Sequence, residues 1–525
     1  MWSGLTSCGG PASDTSQEPS SRTLTRGNGG QPGTLDPALA VDIHAFNVLG
    51  DLYEGLVTIG SDGTITPGAA ARWQADAGLR RFEFELRPDA RWSTGEPVTA
   101  ADFVRGLRRL ADPDTNAPYA SLFANISGFA AVQAGDAPLS ALSVRAEGPR
   151  TLIIELDAPG HTLLDVLAMS VAAPVHASNA ADGGFDDPER FVSNGAYRLA
   201  SYRRNDRIAL TANPHHRDVG RLGYCRVEYL PVVDPSTEVT MYRAGDLDMT
   251  HSLPPQQVAT LRERLPDAVH IAPQLGTYFL ALDVTEPALA NRDLRRALSM
   301  AVDRHALVAM LGRGEQPAWG LLPPGLVDDA HYGWAALDDS ERVIQARATY
   351  LRALGDAPPP ELRLVFDAGD VHERIALTVA GMWRDSLGIE AVLDKREWGY
   401  FLDTRQRRTE WDAMRYAWFA DYADAASFLG LFREGSEHNL PGYSDAGFEA
   451  ALGLARGADT KDARAGALSE AALRIDDAYA LIPLYHYVSK RLVRPDVAGY
   501  AGNLLDRHPS RHLSPRAAPE RGCLP

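Results

Sequence analysis

The residues best placed to do chemistry in this chain lie between Trp398 and Phe432, where charged and aromatic side chains interleave with apolar ones. Tyr416-Ala-Trp-Phe-Ala reads as a short buried strand, and it delivers Asp421 into Ala420-Asp421-Tyr422. A carboxylate at the end of an apolar, aromatic strand is a costly placement unless a cation meets it. Upstream stand Arg405 and Arg415, whose guanidinium groups suit paired hydrogen bonds to a carboxylate. A negative and a positive pole on one segment match a zwitterion with a free amine at one end and a free carboxylate at the other, as in a peptide. A second reading stands beside this one. Asp is a common N-cap, so Asp421 also fits as the cap of a helix starting near Ala423, with the two arginines solvated.

The elements that must position these residues follow from hydrophobic periodicity. Asn47–Thr58 reads as a helix ending near Gly55, and Pro67-Gly68 as a bend into a short helix through the alanines that follow. Phe82-Glu-Phe-Glu-Leu-Arg alternates with the period of a half-buried strand, and Thr151-Leu-Ile-Ile-Glu-Leu is another. Thr99-Ala-Ala-Asp102 is a capping-box variant opening a helix through Leu110. Asn291 to Leu311 reads as one helix with Leu294, Leu298, Ala301, Val302 and Leu311 along a face.

The chain has 525 residues, 45% hydrophobic and 23% charged, with a formal net charge of -17. That length allows about two to four structural units. The acidity argues against a nucleic-acid partner, which needs a basic face. No run of apolar residues is long enough for a transmembrane helix. Of the three cysteines, Cys225 precedes a strand-like stretch and is expected to be a small buried hydrophobe. Cys523 sits in a Pro/Arg-rich tail and is expected to be a free thiol; no disulfide is expected. Without a C-x-x-C pair, a zinc ribbon or thioredoxin-type site is not expected either. Leu5-Thr6-Ser7-Cys8-Gly9-Gly10 resembles a bacterial lipobox with Cys8 as the lipidated residue, and the Ser/Pro-rich stretch after it reads as a disordered tether. The basic and apolar stretch of a signal peptide does not precede it, so either the true start lies upstream or the match is chance.

A series of ordered motifs resembles the extracytoplasmic solute-binding proteins of peptide ABC importers, family 5, in their oligopeptide-binding branch. They include Thr34-Leu-Asp-Pro, Asp51-Leu-Tyr-Glu-Gly-Leu-Val, Gly63-Thr-Ile-Thr-Pro-Gly-Ala-Ala, Asn194-Gly-Ala-Tyr, Leu294-Arg-Arg-Ala-Leu-Ser-Met-Ala-Val-Asp-Arg, Leu402-Asp-Thr-Arg, Ala420-Asp-Tyr and Lys490-Arg-Leu-Val. The resemblance implies an α/β, bilobal, periplasmic-binding-protein-like fold (a type II Venus flytrap) with an extra subdomain. The implied organisation is a tether over 1–21 and a discontinuous lobe I of 22–66, 190–275 and 488–525. The extra subdomain covers 67–189 and lobe II 276–487.

The same resemblance assigns roles. Asp421 would hold the peptide α-ammonium, and Arg405, Arg415 and His372 would serve the peptide carboxylate. For Arg405 a lobe-surface ion pair, and for His372 a helix N-terminal structural role, stand as the alternatives. Glu54 is placed either on the cleft or in a structural ion pair. Tyr119, Trp398, Trp418 and Tyr485 are candidate pocket walls, with core positions as the alternative. Phe419 and Gly276 occupy positions where some members carry a cysteine pair, so that disulfide is absent and the bulkier Phe419 is placed to reshape a pocket. Asp424 is either a second acid near the amine or a helix cap. The implied activity is capture of oligopeptides between the lobes and delivery to ABC permease subunits from the periplasm or cell envelope, by a monomer without cofactor or metal. Murein peptides, dipeptides, haem or nickel chelates are the alternative cargoes. No H-E-x-x-H, G-x-S-x-G, G-x-x-x-x-G-K-[ST] or G-x-G-x-x-G motif occurs, so an enzyme is not expected.

Overall fold

The computed structural model describes residues 23–517, apart from 183, 186 and 327–331, together with 522–523. Cys8 and the tether lie outside the described residues. Three sheets organise the rest. Thr23–Gly27 joins three strands from the 197–230 region in a four-stranded sheet, pairing in parallel with Arg226–Leu230. A second four-stranded antiparallel sheet is built within residues 70–155. In it, Arg81–Leu86 turns Phe82, Phe84 and Leu86 into the core and its charged residues outward, as the alternation predicts. The helix Ala100–Ala111 packs beside that sheet and opens on the expected capping box of Thr99 and Asp102.

The third sheet is mixed and six-stranded, and it carries the residues of chemical interest. Its middle strands are Val269–Leu282, Ala413–Phe419 and Leu362–Asp367, with Leu481–Leu492 on the other side of the first. One face is covered by helices that include Arg292–Met300, Asp339–Leu354 and Asp370–Leu387, the other by Ala446–Gly457 and Lys461–Ala478. Burial on both faces is why Leu362-Arg-Leu-Val-Phe is nearly all apolar.

Val269–Leu282 and Leu481–Leu492 pair antiparallel along most of their length. They run across the 275/276 and 487/488 boundaries instead of stopping there. At one end Leu492 joins the core formed with Leu230, Val239 and Leu261; at the other Leu280, Ile482 and Leu484 enter the core of the six-stranded sheet. Their register breaks between Pro273 and Thr277 and again between Tyr278 and Phe279. Irregular pairing bends a ladder, so the two strands bend as they cross from one core to the other, and this crossing is the hinge region between them.

Several expectations are corrected. Cys225 and Cys523 are joined by a disulfide across 298 residues of sequence; Cys523 is no free thiol, and it ties the tail to the strand at Arg226. The first helix runs Ile43–Leu52, starting where Asp42 accepts the Ala45 N–H at 2.8 Å. The alanines after Gly68 form the strand Ala70–Ala75, not a helix, because cross-strand pairing with Phe82–Leu86 outweighs alanine's helix propensity. Asn291–Leu311 is two helices, Arg292–Met300 and Arg304–Leu311. Asp303 ends the first register by capping the second at the Ala306 N–H, 2.8 Å away. The five apolar positions named for that face are nonetheless all buried.

Candidate functional site

The strand Ala413–Phe419 pairs with hinge strand Val269–Leu282, setting Arg415 opposite Leu280 and Phe419 opposite Gly276. A Cβ on Gly276 would lie 2.6 Å from the Phe419 ring, so the absence of a side chain there makes room for Phe419. The chain then continues with the Ala420 N–H donating to the Leu275 carbonyl at 2.8 Å. Asp421 is thereby fixed beside the hinge, at the wall of a cavity of about 430 Å³. That cavity is lined from three directions: Val41, Ile43 and Phe46 near the N-terminus, Tyr119 from the 67–189 region, and Phe419, Asp421, Lys490 and Arg507 from the later chain.

The Asp421 carboxylate accepts one hydrogen bond among the described residues, from the Tyr119 hydroxyl at 3.2 Å. Arg507 donates to the Asp421 backbone carbonyl at 3.3 Å while its guanidinium lies over the Phe46 ring. Burial pushes the Asp421 carboxyl above its usual range, against the opposing pull of the Tyr119 hydrogen bond and of Arg507. Asp421 caps nothing. The helix begins at Ala426, just after Ala425, and Asp424 one residue further back accepts the Ala426 N–H at 2.8 Å and forms a two-pronged pair with Arg464 at 2.7 and 2.8 Å. Asp424 is thus occupied by the Ala426 N–H and Arg464, whereas the half-buried Asp421 carboxyl group has a weak partner set.

The second pole assembles where the parallel strands Leu362–Asp367 and Ala413–Phe419 separate beyond Met414. Such a crevice, at the carboxyl ends of parallel strands, is where α/β sheets bind ligands. Arg415 lies 3.1 Å from Asp367 and donates to His372 Nε2 at 3.0 Å. His372 Nδ1 then faces the Tyr278 hydroxyl at 3.2 Å. Burial, then the nearby Arg415, lowers the His372 pKa to about 4, so the imidazole is neutral and orients the guanidinium. Arg405 is not part of this group. It stacks over Tyr416, and side chains at 415 and 416 point to opposite faces of the strand.

The remaining candidates divide. Phe419 is 44% exposed and lines the cavity with Tyr119, and it packs on Tyr487 at 4.5 Å. Tyr485 is buried and stacks on Tyr278 at 4.9 Å, behind the second pole. Trp418 is half-buried beside His438, and its indole N–H has no partner among the described residues. Trp398 is 50% exposed at the start of the helix Trp398–Arg407. Glu54 sits in a structural ion pair. It is 2% exposed, gripped by Arg217 at 2.6 Å through both oxygens and by Arg511 at 3.2 Å. Burial would raise its pKa, but the Arg217 and His216 contacts prevail and hold it far below the carboxylate range. Sequence reasoning missed Arg507, Arg313 and Asp367. Asp367 was discoverable, since it ends an apolar strand as Asp421 does; Arg507 belongs to no motif.

A bilobal α/β protein with a hinge, an interlobe cavity and a weakly partnered, half-buried carboxyl group in it has the geometry of a solute binder. The family description "Bacterial extracellular solute-binding proteins, family 5 Middle" matches residues 64–439, more than half of the chain. The protein belongs to this family. It is 32% identical over 505 residues to the periplasmic oligopeptide-binding protein OppA of Escherichia coli strain K12, covering 94% of this chain and 92% of that one. The structure of the E. coli murein tripeptide binding protein MppA overlays with a TM-score of 0.81 at 32% identity, covering 94% and 99% of the two chains. That of Haemophilus influenzae OppA in complex with RPPGFSPFR gives 0.78 at 30%, covering 94% and 99%. In this family-5 protein no described helix is long and apolar enough to cross a membrane.

Proposed function

We propose that this protein captures oligopeptides extended between its lobes and delivers them to the permease subunits of an ABC transporter. Asp421 anchors the peptide α-ammonium, and Arg415, oriented by His372, takes the carboxylate of peptides long enough to reach it. Backbone groups common to all peptides supply further affinity without reading sequence. The relatives named for oligopeptide and murein tripeptide binding, and the one solved with a nonapeptide, support this cargo class. Their periplasmic names support a place in the cell envelope, as a monomer anchored, where Cys8 is lipidated, by its tether. The role is binding and transport, as for the rest of the family, and the chemistry of ATP hydrolysis belongs to the transporter's other subunits.

The observation that carries this reading is the Asp421 carboxylate, held in the interlobe cavity with one hydroxyl on it. A buried ion pair is costly to break once formed. Asp421→Asn should therefore weaken peptide binding by roughly 2–5 kcal/mol while leaving the unfolding temperature within a few degrees of the parent. Titration calorimetry with a free-amine tripeptide tests it, and an unchanged affinity would remove Asp421 from the site.

A further inference from the structure

The wall of the interlobe cavity carries more positive charge than its own carboxylates balance. Arg313 and Lys490 both line that cavity, and both reach the same oxygen of Glu315, Arg313 Nη2 at 2.8 Å and Lys490 Nζ at 3.1 Å. The Glu315 side chain is fully buried, and its second oxygen has no hydrogen-bond partner among the described residues. Arg313 Nε is likewise buried and unpartnered. Among the described residues Lys490 donates additionally only to the Val488 carbonyl, at 3.0 Å. The group is held against the hinge: Lys490 pairs with Ile271, and Gly314 turns between Arg313 and Glu315 at φ +92° with Ile271 against it.

The other charges on this wall cancel in pairs. Asp506 accepts from Arg491 at 2.5 Å and from His508 at 2.8 Å, and the Arg507 guanidinium, bonded to the Asp421 backbone carbonyl, acts on the Asp421 carboxylate through space. Arg313, Glu315 and Lys490 therefore hold one net positive charge where little water screens it. An ammonium arriving at Asp421 takes over the carboxylate that Arg507 faces, adding a second uncompensated positive charge to the same cavity. Like charges in one poorly screened cavity repel, so a ligand that brings an anion alongside its amine relieves both. The carboxyl terminus of a peptide long enough to reach Arg415 is engaged there, which leaves a side chain as the source of that anion.

We propose that Arg313 and Lys490 form a carboxylate subsite, and that the protein selects peptides with an acidic side chain within the first two residues. This rests on the assignment of Asp421 as the amine anchor, and the experiment separates the two. Calorimetric affinities would be measured for Glu-Ala-Ala against Gln-Ala-Ala and for Ala-Glu-Ala against Ala-Gln-Ala, each also as its C-terminal amide. The acid should bind about tenfold more tightly than its amide isostere in at least one pair, and that ratio should persist in the C-terminal amides. Lys490→Met and Arg313→Met should each bring the ratio toward one, while Glu315→Gln, which frees both cations, should raise it. The parent protein alone decides the matter even where a variant unfolds: a ratio of one in both pairs overturns the subsite. A ratio that vanishes on C-terminal amidation also overturns it, by assigning the anion to a chain terminus. Asp421→Asn should weaken acid and amide peptides alike; unchanged affinity for both would sink the amine assignment and leave the acid-to-amide ratio as a separate result.

Discussion

At the scale of single residues, Asp421 and Glu54 show how burial acquires opposite meanings. Both are carboxylates drawn out of water, yet Glu54 meets two guanidinium groups and is held ionised, whereas Asp421 meets a hydroxyl and is pushed up. A group raised by burial in the empty site and lowered by an arriving ammonium releases a proton on binding. The sign follows. Peptide affinity is constant where the free protein already holds Asp421 ionised, and falls about tenfold per pH unit below its raised pKa. Calorimetry from about pH 7 down to 4 should show this slope with free-amine peptides and lose it in Asp421→Asn; a flat profile in the parent would argue that no ammonium meets this carboxylate. Asp421 was legible in sequence because a charge at the end of an aromatic strand needs an explanation. The role of Glu54 was not, because its partners stand 163 and 457 residues away, and local sequence carries no trace of a pairing that distant.

At the scale of elements, what the sequence displayed was whatever local periodicity or a cap determines. The strand Arg81–Leu86 and the capping box at Thr99 appear where expected. Where a tertiary neighbour decides, the reading failed. Ala70–Ala75 is a strand because Phe82–Leu86 pairs with it, and the helix after Asn291 breaks because Asp303 binds the Ala306 N–H. The Cys225–Cys523 bridge is the clearest case: no spacing rule links cysteines 298 residues apart. Closing so long a loop restricts the unfolded chain, and the stabilisation expected of such a bond is about 2–4 kcal/mol. Cys225→Ala/Cys523→Ala should lower the unfolding free energy obtained from denaturant titration by that amount and the midpoint with it, and reductant should lower the parent's midpoint but not the double variant's. Equal midpoints for parent and variant under oxidising conditions would mean the tail contributes nothing to the stability of the sheet it is tied to.

At the scale of the whole molecule, the buried titratable groups set a pH window in which the fold, and with it the hinge and cavity, is most stable. Burial raises several carboxyls, among them Asp165 to about 6, helped by nearby Asp424, Glu238 to about 7 against backbone N–H donors from His251, Ser252 and Gly29, and Asp476 to about 8; Asp248 and Asp421 move the same way. In each the unfolded chain ionises first as pH rises, so stability falls from the ordinary carboxylate range up to the folded pKa. Among the described residues burial lowers six imidazoles, including His251 to about 3 and His372 and His508 to about 4, with His270, His438 and His512 moving the same way. There the unfolded chain takes up the proton first, so stability falls as pH drops below the ordinary histidine range. Between about pH 4.5 and 6 the two sets oppose each other. Above about pH 6.5 the raised carboxyls act without that opposition, and Glu238 and Asp476 together should remove roughly 2–3 kcal/mol by pH 8. Urea unfolding at pH 6 and pH 8 should show that loss. Glu238→Gln and Asp476→Asn, whose amides keep the shape of the neutral acids, should each remove part of it, with Asp476→Asn removing more because its pKa lies higher. Equal stability at the two pH values would mean that water reaches these carboxylates.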